Sequence, residues 1–196
     1  MLRTIEEIFY PATVSEWRIW LEENHLSKSN VWVVFHNKTS DKPSITCREA
    51  VDVALCFGWI DSKKIKVDDQ TSHQFFSKRK PKGTWSKINK EKVQELIALW
   101  LMCEAGYRSI EVAKSNGSWA ILDSVEELIV PPDLEAVFQK DNTLRDYFQR
   151  QSKTKKKMWL HKLVFSKSPA TRQKYIDEII ASHLSNPLSP SLDYKT

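Results

Sequence analysis

The stretch AVDVALCFGWID, residues 50–61, contains the helix-to-strand transition that decides the fold class. Thr46-Cys47-Arg48-Glu49 precedes it and matches a capping box, in which a hydroxyl and a carboxylate each satisfy a free backbone N–H. The run from Ala50 to Phe57 is almost entirely apolar, which predicts a helix buried on most sides. Gly58 can take the left-handed conformation that ends a helix, so we expect a strand to begin at Trp59.

Elements on either side of this stretch predict an α+β fold. Residues 31–37, rich in β-branched and aromatic side chains, and a hairpin over residues 59–80 predict a small antiparallel sheet of about three strands. Apolar spacing predicts a helix over residues 13–24, a long helix over 87–104 that Gly106 ends, and a shorter helix over 107–115. From Pro131-Pro132 onward only helices are expected, so strands and helices are segregated along the chain.

The same pattern predicts the domain organisation. Residues 1–128 are expected to form the module with the small sheet and the long helix, and residues 129–186 an all-helical module. Residues 187–196 contain two prolines and little apolar surface, so we expect a loose tail.

Composition excludes several classes of protein. The 196 residues are 41% hydrophobic and 28% charged, which is ordinary for a globular chain and argues against disorder. Acidic residues lie where a signal peptide would have its apolar stretch, so we expect no signal peptide. No apolar run is long enough for a membrane span, so we expect none. The three cysteines form no CxxC pair and are expected to be reduced thiols, so we expect a cytoplasmic protein without a cysteine-based zinc site.

The net charge of +5 conceals two basic blocks, residues 78–90 and 150–174, and an acidic segment over 123–146. Such blocks could bind phosphate, a nucleic acid or an acidic protein. They could equally be solvated faces that the acidic segment partly neutralises. The sequence leaves these alternatives open.

One group of residues is the candidate ligand-binding site. The loop before the helix at Lys87 combines cations, a glycine, a tryptophan and hydroxyls, and a helix start favours anions. The hairpin brings a carboxylate near a guanidinium, a pair that could orient a polar ligand between indole rings. The alternative is structural: an ion pair, a core tryptophan and a helix cap. The candidate residues are Trp59, Asp61, Arg79, Trp85, Ser86 and Asn89.

Secondary candidates are His25, Lys87 and Arg172. His25 could be an acid–base group or a helix-end histidine that interacts with the dipole. Arg172 could pair with a ligand or with the N-terminal module, or it could tie segments together through carbonyls or a carboxylate. The scattered histidines have no metal-binding spacing, and no nucleophile motif occurs, so the sequence assigns no metal, cofactor or catalytic residue.

Several strings together carry a resemblance to a known family: residues 54–61, Arg79-Lys80-Pro81, residues 85–89, Ala113-Lys114, Gly117-Ser118-Trp119 and Thr171-Arg172. They resemble the YdeI/OmpD-associated family, also called bacteriocin-protection proteins, and Trp20, Asn24, His25 and Trp32 fit its opening segment. The resemblance extends over about residues 14–184. Asn37-Lys38 stands where relatives often have two lysines, and Gly83 stands where a serine is common. The resemblance implies a link to tolerance of bacteriocins and cationic antimicrobial peptides and to an outer-membrane porin, without an established reaction.

The resulting hypothesis is a non-enzymatic binding protein of this type, active in stress tolerance, whose partner is another protein or a small anionic ligand. Two alternatives remain: a nucleic-acid-binding protein that uses the basic blocks, and an enzyme that acts on a small polar or anionic substrate. Nucleic-acid affinity would fall steeply with salt. An enzyme would show a concave pocket in which polar groups with shifted pKa values converge.

Overall fold

A computed structural model describes residues 7–185 of the chain. The described residues form two compact units, one ending at Ala120 and the other beginning at Ile121. The predicted separation into domains after residue 128 stays a prediction. The predicted tail, residues 187–196, and most of the acidic N-terminal start lie outside the described residues.

The first unit contains a four-stranded mixed sheet, which confirms the α+β class. Its strands are β1 (Ile8–Phe9), β2 (Asn30–His36), β3 (Trp59–Lys66) and β4 (Thr71–Lys78), in the order β1-β2-β4-β3. The β2–β4 and β3–β4 pairs are antiparallel, as expected, whereas β1 adds a parallel edge to β2. A strand of two residues is too short to show an alternating pattern, so β1 is identified only by its pairing with β2 in the structure.

Four helices pack with this sheet: α1 (Val14–Asn24), α2 (Cys47–Cys56), α3 (Lys87–Ala98) and α4 (Glu104–Ser115). The capping box of α2 is present, since Thr46 Oγ1 accepts from the Glu49 N–H at 3.2 Å and Glu49 Oε2 accepts from the Thr46 N–H at 2.8 Å. Gly58 follows with φ +70°, and the chain turns there from α2 into β3.

The predicted long helix over residues 87–104 is wrong. Helix α3 ends at Ala98, and Trp100 takes the left-handed conformation at φ 58°. The Leu101 N–H then bonds the Leu96 carbonyl at 3.0 Å, which closes the helix end. Gly106 lies inside α4 rather than ending a helix. A glycine is needed there because a Cβ would overlap the carbonyl oxygen of Cys56 on α2. Close packing of the two backbones, rather than local helix propensity, therefore explains this glycine.

The core of the first unit is rich in aromatic side chains. Trp17 stacks on Trp20 with ring centroids 5.3 Å apart, and Trp20 contacts Trp59 edge-on at 5.9 Å. The Trp17 indole Nε1–H donates to the Ala50 carbonyl at 3.0 Å, which satisfies a buried donor and joins α1 to α2.

The second unit is helical throughout its described part. Its helices are α5 (Asp123–Glu126), α6 (Pro132–Lys140), α7 (Asn142–Arg150), α8 (Lys153–Val164) and α9 (Pro169–Ser185). Pro132 occupies the first turn of α6, as the Pro131-Pro132 signal predicts. Leu134, Phe138, Phe148 and Leu160 form its separate apolar core with other buried residues. Within residues 7–185, no helix has the length and hydropathy needed to cross a bilayer.

Candidate functional site

A cavity of about 700 Å³ lies in the first unit, where the end of α1, the turn from α2 to β3, the end of β4 and the start of α4 meet. Its size falls in the range typical of sites for small molecules. Trp59, Arg79 and Trp85, three of the six candidate residues, line it. Of the secondary candidates, His25 also lines it.

The apolar wall of the cavity consists mainly of aromatic rings. Phe57, Trp59 and Trp85 contribute to it, and the exposed fractions of the two tryptophans are 0% and 1%. Both indoles therefore belong to the core and border the cavity from within it. Among the described residues, the Trp59 Nε1–H has no hydrogen-bond partner although it is buried. Such an unpaired indole donor is unusual, because buried indole N–H groups normally find an acceptor.

Arg79 provides the polar part of this wall. Its guanidinium carbon lies 3.6 Å from the centroid of the Trp85 ring, which is a close cation–π contact. Nη1 donates to the Thr84 carbonyl at 3.1 Å, while the buried Nε and Nη2 have no partner in the described part of the chain. Burial lowers the pKa of Arg79 to about 10, and the charge of Asp61 opposes that change. The side chain therefore remains a cation at neutral pH.

Asp61 is near Arg79 but does not pair with it. Its carboxylate accepts a hydrogen bond from Gln74 Nε2 at 2.7 Å. Burial raises the pKa of Asp61, and the Arg79 charge acts in the opposite direction. Within residues 7–185, Arg79 directs its one side-chain hydrogen bond to a carbonyl rather than to this carboxylate. Asp61 thus acts on Arg79 through its charge and is not part of the described cavity lining.

Ser86 and Asn89 lie at the start of α3 and are not part of the cavity lining that the structure describes. Ser86 is the N-cap, and its Oγ accepts from the Asn89 N–H at 3.3 Å. This is the structural alternative weighed for these residues. Any ligand-binding role for Asp61, Ser86 or Asn89 stays a prediction.

The secondary candidates are in three different environments. His25 follows α1, with Nδ1 2.7 Å from the Leu21 carbonyl oxygen and its ring 5.1 Å from Phe57. Lys87 is exposed and lies 3.8 Å from the Glu91 carboxylate, one turn along α3. Only His25 is placed where it could contact an occupant of the cavity.

Arg172 belongs to the second unit and ties segments together there. Nε and Nη2 donate to the two carboxylate oxygens of Asp133, the latter at 2.9 Å, and Nη1 donates to the Leu163 carbonyl at 2.7 Å. These bonds lower the pKa of Asp133, chiefly through the hydrogen bond from Arg172. The arrangement is the structural alternative considered for this residue.

The start of α4 is a cavity wall that sequence reasoning missed. Cys103 is the N-cap of α4 without a side-chain capping bond, and Ala105 and Arg108 line the cavity beside it. The sequence predicts the end of a long helix here and no helix start. Recognising this wall requires the contact between Gly106 and Cys56, which no local pattern records.

Comparison with family models places both units. Residues 127–186 match the family described as Bacteriocin-protection, YdeI or OmpD-Associated, and residues 9–109 match a domain of unknown function (DUF8412). The chain contains a domain of the YdeI/OmpD-associated family over residues 127–186. Searches of curated proteins and of solved structures each gave no match. The cavity lies in the segment of unknown function, whereas the match to the YdeI/OmpD-associated model covers the helical unit.

In the second unit, which contains the YdeI/OmpD-associated match, much of the second basic block is engaged in contacts within the unit. Lys157 pairs with Glu126 and Lys162 with Glu178, while the Lys155 ammonium lies 4.9 Å from the Trp159 ring centroid. Together with the Arg172–Asp133 pair, these contacts support the alternative in which acidic residues partly neutralise the block. Among residues 7–185, no group of three or more histidine, cysteine, aspartate or glutamate side chains could hold a metal ion.

Proposed function

We propose that this protein is a non-enzymatic binding protein that contributes to tolerance of bacteriocins or cationic antimicrobial peptides, and that the cavity in its first unit is the binding site. The observation that carries the proposal is the pair of buried Arg79 nitrogens without a partner in the described residues, at a cavity in a chain whose residues 127–186 match the bacteriocin-protection family. Leaving buried donors unpaired is costly, and an occupant with acceptor oxygens would remove that cost. We place this role in the cytoplasm, in keeping with three free cysteines.

The charge of the cavity favours an anionic ligand over the peptide itself. Four cations line it, namely Lys78, Arg79, Lys80 and Arg108. Glu104 is the one acidic residue in the described lining, and Arg108 lies 2.5 Å from its carboxylate. A cationic peptide would be repelled by such a site, so protection would act through a bound anion rather than by sequestering the peptide.

Binding fits the cavity better than catalysis. The described lining contains His25 as a possible acid–base group and Cys103 as a possible nucleophile. Burial raises the pKa of Cys103, which keeps the sulfur as a thiol, whereas a reactive cysteine needs a lowered pKa. The described lining therefore lacks an activated nucleophile, and one nitrogen of His25 is already engaged by the Leu21 carbonyl.

The test is a survival assay in a sensitive bacterial host. Cells that express the wild-type chain are expected to survive a bacteriocin or a cationic peptide better than cells with an empty vector. Cells that express folded Arg79→Met are expected to lose this advantage, because Met keeps an unbranched stem but has neither the donors nor the charge. Arg48→Met, which alters an exposed arginine on α2, is the matched control and should protect like wild type. No protection by wild type, or equal protection by Arg79→Met, would refute the proposal.

A further inference from the structure

The cavity combines a large apolar surface with a small group of unpaired donors. Trp59 and Arg79 both line it, and the Arg79 N–H donates to the Gly58 carbonyl at 2.9 Å, which ties the two residues together through the backbone. Three buried nitrogens of these residues, Trp59 Nε1 and Arg79 Nε and Nη2, have no partner in residues 7–185. All three are donors, so what they lack is an acceptor.

The arrangement on Arg79 specifies the shape of that acceptor. Nε and Nη2 form one edge of the guanidinium, and two parallel N–H groups on one edge match the two oxygens of a carboxylate. The third nitrogen, Nη1, already bonds the Thr84 carbonyl, which leaves this edge as the unused one. The contact of the guanidinium carbon with the Trp85 ring, 3.6 Å from its centroid, restricts the movement of the group.

The rest of the lining specifies the body that carries the carboxylate. Phe57, Trp59 and Trp85 present aromatic surface, and Val112 adds an aliphatic side chain. A flat, apolar body would bury its faces against these rings, and a volume of about 700 Å³ leaves room for a fused two-ring system. Lys78, Lys80 and Arg108 add positive charge around the site, which favours an anion.

We infer that the cavity binds an aromatic carboxylate, with the carboxylate on the Nε–Nη2 edge of Arg79 and the ring system against Phe57, Trp59 and Trp85. This inference rests on the proposed function and names the class of ligand for the same site. The Trp59 Nε1–H donates the third hydrogen bond. The ligand therefore satisfies donors that the empty protein leaves unpaired.

The inference can be tested with 2-naphthoate as the probe. Isothermal titration calorimetry of the wild-type chain is expected to show saturable binding of 2-naphthoate. Its neutral amide, 2-naphthamide, is expected to bind at least about tenfold more weakly, because it lacks the charge and the second acceptor oxygen. Equal affinity for the acid and the amide, or no binding of 2-naphthoate, would overturn the inference.

Variants separate the guanidinium edge from charge alone. Arg79→Met is expected to reduce the affinity for 2-naphthoate to that of the amide, while Arg48→Met leaves it unchanged. Arg79→Lys keeps the charge without the two parallel donors and should restore only part of the affinity. Full affinity in Arg79→Lys or Arg79→Met would contradict recognition by the guanidinium edge.

Two further measurements locate the probe and its acceptor. The indole N–H resonance of Trp59, assigned with Trp59→Phe, is expected to move on addition of 2-naphthoate, and an unmoved resonance would place the probe elsewhere. If 2-naphthyl phosphate binds more tightly than 2-naphthoate, the site recognises a phosphate rather than a carboxylate, and the inference is wrong.

Failure of this inference is distinguishable from failure of the proposed function. If Arg79→Met abolishes protection in the survival assay but 2-naphthoate does not bind, the ligand class is wrong and the binding site stands. If 2-naphthoate binds through Arg79 but Arg79→Met protects like wild type, the ligand class stands and the proposed function is wrong.

Discussion

Arg79 directly follows β4 in the first unit, and Arg172 lies in the first turn of α9 in the second unit. The hydrogen bonding of the two arginines differs. Arg172 directs three nitrogens to the Asp133 carboxylate and the Leu163 carbonyl. Arg79 has one side-chain hydrogen bond, to Thr84, and two buried nitrogens without a partner in the described residues. Because an unpaired buried donor costs about 1–3 kcal/mol, Arg172 is placed as stability requires and Arg79 is not. That difference separates a structural arginine from a candidate binding residue.

The largest effect on stability is expected where α4 packs against α2, rather than at Arg79 itself. Gly106→Ala should lower the free energy of unfolding of the first unit by on the order of 3 kcal/mol, since its Cβ would overlap the Cys56 carbonyl. Urea denaturation measures this. Gly117→Ala is the matched control, because a Cβ there meets nothing within 4 Å and the cost is limited to its φ of +81°. Equal losses in both variants would show that α2 and α4 are not in close contact.

At the structural arginine, Arg172→Met should destabilise the second unit by about 2 kcal/mol, because it leaves a carboxylate and a carbonyl without their donor. Thermal unfolding followed by circular dichroism checks this. Arg150→Met, which changes an exposed arginine at the end of α7, should alter stability by no more than about 0.5 kcal/mol. A loss confined to Arg150→Met would reverse the assignment.

The same pair predicts a pH dependence. Arg172 lowers the pKa of Asp133 in the folded protein, so its stabilising contribution is complete above the pKa of the unfolded chain, about 3.9. It is lost as the pH falls through the lower folded value. The pKa of Asp141 is also lowered, so the informative quantity is the difference in stability between wild type and Arg172→Met. That difference should shrink between pH 5 and about pH 2, and a constant difference would exclude the ion pair as its cause.

The candidate binding arginine should respond much less. Arg79→Met removes two unpaired buried donors, but it also removes the bond to the Thr84 carbonyl and the cation–π contact with Trp85, so the free energy of unfolding is expected to change by less than about 1 kcal/mol. Urea denaturation without ligand measures this change. A clear loss of stability would mean that Arg79 is a structural residue like Arg172.

The smallest effect concerns backbone strain, of which the described part of each unit has one non-glycine example. Trp100 and Leu128 both have φ near 58°, but Trp100 is 91% exposed whereas Leu128 packs against the second core. Trp100→Gly should stabilise the first unit by about 0.5 kcal/mol, because it relieves the strain and loses little contact. Leu128→Gly should instead destabilise, since it removes apolar contacts. Thermal unfolding of both variants compares them, and the same sign of change in both would contradict this account.

Local chemistry was sufficient to predict some features. The Thr46–Glu49 capping box, the turn at Gly58 and the helix start at Pro132 each depend on a few neighbouring residues. Long-range geometry was not predictable in the same way. The β3–β4 register pairs Trp59 with Lys78 and shifts between Asp61 and Lys64, which places Arg79 beyond the paired strands and beside Gly58. The expected direct pairing of Asp61 with Arg79 therefore does not form.

The contact between the turn after α2 and the start of α4 has a consequence for kinetics. A Cβ at Gly58 would lie 2.8 Å from the Ala105 carbonyl oxygen, so two backbones touch where the cavity wall has no side chain to rotate aside. This wall does not widen by rotamer changes. The buried nitrogens of Trp59 and Arg79 become reachable only when lining side chains elsewhere move, so the observed association rate should level off at high concentration as that conformational step becomes limiting.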